Sequence, residues 1–342
     1  MSATEQLKQQ AAAMFYRSLK ERTSFLQSEF IGIEKPLPLI GGLPYGITGR
    51  TFQGVKAIQL MTASNAFGFT DPRWFTTPQL NRLGYFIRKG EKALVRTERL
   101  YAEAANPDQY KSAVAPLFNG DQIKNLPSLE QTVELPAERY KRLDAYIQSV
   151  GAVFNEDPQN LPYYSHENDT IYIEPKSHYA VRSAHGAEQY YTDALYAITE
   201  WAAAHSGGLQ RAHEPGDADS QYRLRVQLAC VQAAARLGVG YERDPSGWED
   251  RYIQTQPNWR ELESAWADAS AITANMKLPE HILTPVPARQ LDNQPQIEPG
   301  FEERAQTFDP LVVVHVSDSP KPEVAVKVKR GVRKKLEQSM GA

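Results

Sequence analysis

One cysteine, Cys230, stands among 342 residues. The chain can therefore form no internal disulfide and no thiolate metal cluster, a usage that suits a reducing compartment. No apolar run approaches the roughly 18 residues needed to span a bilayer, and the polar start MSATEQLKQQ lacks the apolar core of a secretory signal. The expectation is a cytoplasmic protein with no membrane partner. Net charge is also small, at −3 overall, so any partner attracted by charge must find it segregated. With 41% hydrophobic and 23% charged residues, the chain is globular and long enough for two packed domains.

Segregation is what the sequence supplies. Residues 50–99 carry nine basic groups (Arg50, Lys56, Arg73, Arg82, Arg88, Lys89, Lys92, Arg96 and Arg99) against Asp71, Glu91 and Glu98, a local excess of six positive charges. Within this stretch, DPRWFTTPQLNRLGYFIRKGEK mixes Arg73, Arg88, Lys89 and Lys92 with the rings of Trp74, Phe75, Tyr85 and Phe86. Single-stranded nucleic acid presents phosphates and open base faces together, so a protein that grips it without reading sequence needs both cations and stacking platforms. The same pattern also fits half-buried strands whose rings pack inward while their charges solvate the outer face.

Helical spacing over residues 5 to about 30 places Leu7, Ala11, Met14, Phe15, Leu19, Leu26 and Phe30 on one stripe. A Pro- and Gly-rich loop follows from Glu34 to Gly54, and VKAIQLM then resumes as a strand or a short helix. WFTTPQLNRLG predicts a short helix starting near Thr76 or Thr77, with Pro78 in its first turn and Gly84 at its end. FIRKGEKALVRTERLY predicts two strands about a Lys89–Gly90 turn. Beyond residue 128 the pattern gives a helix at 136–151, a strand in PYYSHENDTIYIEP, and amphipathic helices at about 185–204 and 220–237. The first of the pair is expected to bury Ala187, Tyr191, Ala194, Leu195, Ile198 and Trp201. The second should bury Leu224, Leu228, Val231, Ala235 and Leu237, capped by Gly238. After Lys277 the composition turns to that of a flexible tail, whose end at 321–342 has seven cations against two acids.

Four blocks in order, GLPYGITGRTFQGVKAIQLM, DPRWFTTPQLNRLGYFIRKGEK, FNGDQIKNLP and YYSHENDTIYIEP, resemble the ArdC-type antirestriction proteins. These are carried by plasmids and phages, and their amino-terminal domain also occurs in TraC-type conjugative primases. The resemblance spans about residues 12–275. It implies an α+β architecture: a single-stranded-DNA-binding domain at 1–127, a mostly helical zincin-like domain at 128–277, and the tail at 278–342. Thr48, Gly49, Arg50, Phe52 and Gly54 keep the family's first block, with Lys56 where Asn is usual; Leu83, Gly84, Ile87 to Lys92 keep the glycine-bearing block almost whole. The DNA-binding residues expected are Arg50, Lys56, Arg73, Trp74, Phe75, Tyr85, Arg88, Lys89 and Lys92.

The second domain departs from its family where the chemistry lies. A zincin needs two histidines four apart on a helix, a glutamate beside the first as general base, and a third ligand from a later helix. The matching positions hold Tyr196, Ala197, Glu200 and Gln227. A phenol, a carboxylate and an amide make a poor zinc site, and a methyl group at Ala197 cannot take a proton from water. His185, Glu188, His205 and His213 are too spread along the chain to converge readily on a replacement site. The resemblance thus implies a domain that keeps its fold without metal, cofactor or catalysis. The expected function is coating or escort of entering single-stranded DNA for a mobile element, with host restriction or other defence proteins as further partners. The competing readings are a metallopeptidase with a rebuilt site and an interaction module using the old peptide groove.

Overall fold

The computed structural model describes residues 2–27, 42–103, 106–129, 136–158, 162–182, 186–207, 217–239 and 247–279. The loop at 34–41, His185, His213 and the tail with its basic end fall outside these residues.

Helix α1 (Ala3–Lys20) opens on a capping box, in which Glu5 N–H donates to Ser2 Oγ and Ser2 N–H donates to the Glu5 carboxylate. It buries Ala11, Ala12, Phe15, Tyr16 and Leu19. The VKAIQLM segment is helix α2 (Gly54–Phe67), stopped by Gly68 in the left-handed conformation at φ 69°. Its helical nature was ambiguous because it is apolar nearly all round, burying Val55, Ala57, Ile58, Leu60, Met61 and Ala63. At its first turn Val55 N–H donates to Glu263 Oε2 at 3.0 Å. With φ at 60° and a Cβ that would lie 2.6 Å from that carboxylate, Gly54 is a strained position for any side chain, which would have to displace Glu263.

Strand β1 (Trp74–Thr76) runs into α3 (Thr77–Leu83), which begins at the predicted place: Thr76 and Gln79 form a capping box, and Gly84 at φ 75° ends it. β2 (Phe86–Ile87), β3 (Val95–Glu103), β4 (Asn106–Asn119) and β5 (Ile123–Lys124) follow. The hairpin expected about Lys89–Gly90 does not form. β2 pairs with β5, while β3 pairs with β4 in an antiparallel sheet of order β1-β4-β3. The cause is the short 3-10 turn at Gly120–Gln122, which captures the intervening backbone: Arg88 N–H donates to Gln122 O, and the Gln122 amide donates to Lys92 O, each at 2.9 Å.

The remainder is α4 (Pro136–Val150), β6 (Val153–Glu156), β7 (Tyr163–Ser165), β8 (Thr170–Ile173), α5 (Lys176–Arg182), α6 (Gly186–Ala204), α7 (Asp217–Leu237), α8 (Trp248–Tyr252) and α9 (Trp259–Asn275). The segment expected as one strand is a hairpin of β7 and β8, turned at Asp169 with φ 52°, and β6 joins β8 in parallel. The architecture is α+β. α6 is buried on almost every side, with Ala187 and Trp201 only half-buried.

One apolar core draws Phe15, Leu19 and Ile58 together with Leu195, Ile198, Leu228, Ala265 and Ile272. The expected boundary at residues 127 and 128 is therefore crossed by a shared interior. Two smaller clusters lie under the strands, one around Phe75, Leu80, Tyr85, Phe118 and Ile123, the other around Leu60, Trp74, Val95 and Leu117.

Candidate nucleic-acid interface

The rings of the basic segment divide sharply. Trp74 and Phe75 have no exposed surface and Tyr85 has 2%, whereas Phe86 is 55% exposed. The division follows from the pleat. Ile87 and Ile123 face the small core while their strand neighbours Phe86 and Lys124, which are Cα partners across the β2–β5 ribbon, face outward. Trp74, Phe75 and Tyr85 are thus structural, and no base can stack on them in this conformation.

The cations divide as well. Arg73 is 4% exposed. Its guanidinium grips Asp71 (Nη2 to Oδ2 2.5 Å, Nε to Oδ1 2.9 Å) and donates to Pro127 O at 2.8 Å. A buried charge so fully paired holds the β1 entrance in place and is not available to a phosphate. Lys56 is half-buried on α2 and donates from Nζ to Arg96 O at 2.6 Å and to Gln59 Oε1 at 2.9 Å. Burial pulls its ammonium down to about 8, and it ties α2 to β3. Arg50 is exposed but lines a separate cleft beside α7 and α9.

What remains exposed is Phe86 with Arg88, Lys89 and Lys92 on the following turn, and Lys124 opposite Phe86. Arg82 and Arg96 are exposed on neighbouring elements. Gly90 at φ 93° makes the turn possible, and Glu91, the acid inside it, accepts from the Gln122 amide at 2.9 Å. The turn so presents its cations around a projecting ring. Lys124 was missed by the charge count because it lies outside the 50–99 window. The signal for it was the in-out alternation of two short segments, Phe-Ile and Ile-Lys, which only pair in three dimensions.

Of the expected former metal-site positions, Tyr196, Ala197 and Glu200 lie buried on α6 and Gln227 buried on α7. Tyr196 Oη donates to Glu200 Oε1 at 3.4 Å, one helical turn away. Of the histidines weighed as replacements, His205 sits just beyond α6, with Nδ1 2.8 Å from Trp201 O and Nε2 3.5 Å from Asp169. Glu188 is drawn into an ion pair with Arg139 at the other end of α6. His205 and Glu188, the described members of the replacement set, lie at opposite ends of α6 and do not converge. Among the described residues no group of three or more His, Cys, Asp or Glu side chains is placed to hold a metal ion, and no helix is long and apolar enough to cross a membrane.

The α+β architecture, with its small sheets packed against long helices, can be set beside known proteins. The sequence model for the N-terminal domain of anti-restriction factor ArdC matches residues 6–124, about a third of the chain. It is 20% identical to the crystal structure of the antirestriction ArdC protein from the R388 plasmid in its Mn(II)-bound form, with a TM-score of 0.57 over 79% of this chain and 98% of that one. The metal-free form of the same protein matches with the same score at 21% identity, over 79% of this chain and 96% of that one. Among curated proteins, two forms of DNA primase TraC from Escherichia coli are similar. One is 28% identical over 256 residues, covering 66% of this chain and 23% of the primase; the other is 26% identical, covering 57% and 14%. The chain thus spans under a quarter of the primases it matches.

The positions that the sequence resemblance assigned to a former metal site hold a donor set poorly matched to a transition-metal ion. Tyr196, Glu200 and Gln227 offer one carboxylate, a phenol and an amide, and Ala197 offers nothing.

Proposed function

We propose that this chain binds single-stranded DNA with little regard to sequence, through the face formed by Phe86, Arg88, Lys89, Lys92 and Lys124, and that it serves a mobile element by shielding entering DNA from host restriction. The observation that carries the reading is Phe86, a large ring left 55% exposed between cations. A duplex hides its base faces in the stack, so a projecting ring has a use only where those faces are open, and the cations around it then meet the phosphates. The helical region, in this reading, is a scaffold without peptidase chemistry: no side chain at Ala197 can accept a proton from water, and the donor set beside it is unfit for zinc. The likeness to the ArdC N-terminal domain supports the same assignment.

The test is a titration of the full chain with labelled single- and double-stranded oligonucleotides at several salt concentrations. Preference for the single strand, with an affinity that falls as salt rises, is expected. Equal affinity for duplex, or an affinity indifferent to salt, would remove the proposed face from consideration.

A further inference from the structure

A cleft of about 650 Å³ opens between the turn at residues 48–53 and the helices α7 and α9. Its walls are fixed. The turn is closed by Gly46 N–H donating to Arg50 O and Gly49 N–H donating to Gly46 O, both at 3.0 Å, with Gly49 at φ 77°. Gln53 ties it to α9, accepting from Trp266 Nε1–H at 3.0 Å and donating to Thr51 Oγ1 at 2.8 Å. Arg50 comes from the turn, and Arg236 comes from the last turn of α7. Both are exposed, and neither is ion-paired among the described residues. Among the described residues no carboxylate lines the cleft, while Leu43, Trp266 and Leu278 supply apolar surface and Thr51 and Ser270 supply hydroxyls.

Two exposed arginines from separate elements line one concavity with no acid beside them among the described residues, an arrangement suited to an anion. Ligand sites typically run from about 300 to 1,000 Å³, and a bare phosphate would leave most of this one empty. An apolar wall beside a dicationic mouth instead matches a phosphate ester with a flat apolar body. We propose that this cleft binds one nucleotide, its phosphate held by Arg50 and Arg236 and its base and sugar lying against the wall of Leu43, Trp266 and Leu278. The nucleotide is either free or one unit of a bound strand. The site is separate from the Phe86 face and stands whether or not that face binds DNA.

The test uses the full chain and calorimetric titration with three probes: inorganic phosphate, deoxyadenosine monophosphate, and an oligothymidylate strand. The variant R50A/R236A truncates two exposed side chains, and its fold is checked by circular dichroism and thermal melting. R50K/R236K keeps the charges without the forked geometry and serves as a second probe should the alanine variant be unstable. The expected result is saturable nucleotide binding, or a strand affinity, that falls at least tenfold in the alanine variant and partly recovers in the lysine one. Loss confined to the mononucleotide identifies a free nucleotide as the ligand; loss confined to the strand identifies a strand unit. If the folded alanine variant binds both probes as the native chain does, or if inorganic phosphate binds as tightly as the nucleotide, the proposal fails. In that case strand binding that persists would leave the Phe86 face standing on its own.

Discussion

Phe86 and Trp74 lie twelve residues apart in one aromatic, basic segment, and their burial makes opposite predictions for the same substitution. In Phe86→Ala the lost ring is 55% exposed. Full burial of a Phe side chain is worth roughly 1.5 to 3 kcal/mol, so a ring less than half covered should cost about 1 kcal/mol of stability. If a base stacks on it, strand affinity should fall by about 1 to 3 kcal/mol, or roughly 5- to 150-fold. Trp74 has no exposed surface, and Trp74→Ala should cost about 3 to 5 kcal/mol of folding free energy, with binding lost only as far as the fold is lost. Salt adds an independent reading. Four cations, Arg88, Lys89, Lys92 and Lys124, each neutralising one phosphate at about −0.7 per contact, give a slope near −3, so affinity should drop about fiftyfold between roughly 50 and 200 mM salt. Reversing all four charges should flatten that slope. Fluorescence anisotropy with a labelled oligothymidylate and urea melts of each variant supply both numbers. A folded Phe86→Ala protein with native affinity, or a Trp74→Ala protein with native stability, would refute the reasoning.

A Cβ at Gly120 would lie 2.2 Å from the Asp71 carboxylate. Gly120→Ala should therefore break the buried Asp71–Arg73 pair and cost about 3 to 5 kcal/mol in a urea melt; a loss under about 1 kcal/mol would show that the pair relocates freely. Lys56 has its ammonium drawn from 10.5 to about 8 by burial. The protonated form is thus disfavoured in the fold, the penalty is fully present below pH 8, and stability contributed at this site rises from pH 8 to about 10.5 as the folded chain sheds its proton first. The native chain should gain on the order of 2 kcal/mol relative to Lys56→Met across that window, after allowance for partial exposure, and melts at both ends that keep a constant difference would contradict it. Finally, elemental analysis of protein purified without chelator should find no stoichiometric zinc or manganese, and the melting temperature should be unmoved by EDTA; a drop on chelation would mean that Glu200 belongs to a working site.

Local chemistry made much of the fold legible. The Thr76 to Gly84 helix was fixed by its own capping residues and proline, and the long helices by their apolar stripes. Non-local pairing was not legible. Nothing near Lys89–Gly90 states that β2 would rather join β5, because the decision is made by the Gln122 side chain and backbone more than thirty residues on. The candidate site suffered from the same gap. Counting charges could not show that Arg73 is consumed by Asp71, two residues before it, nor that of four neighbouring rings only Phe86 faces outward. Lys124 and Arg236 went unnoticed because their partners in each site are distant in the chain.

The interior shared by α1, α2, α6, α7 and α9 bears on how this protein can be inherited. Tyr16 meets Thr255, Gln9 donates to Pro257 O, Val55 is capped by Glu263, and Trp266 bonds Gln53. A chain ending at residue 127 would lose every one of those partners and bare the flanks of its first two helices to water. Recombination that moves the N-terminal sequence into a new protein must carry α9 along or find a substitute floor. The alignment to the primase extends over 256 residues, far beyond the 6–124 match. The helical half is then the floor on which the first two helices rest, and the two halves are built to travel together.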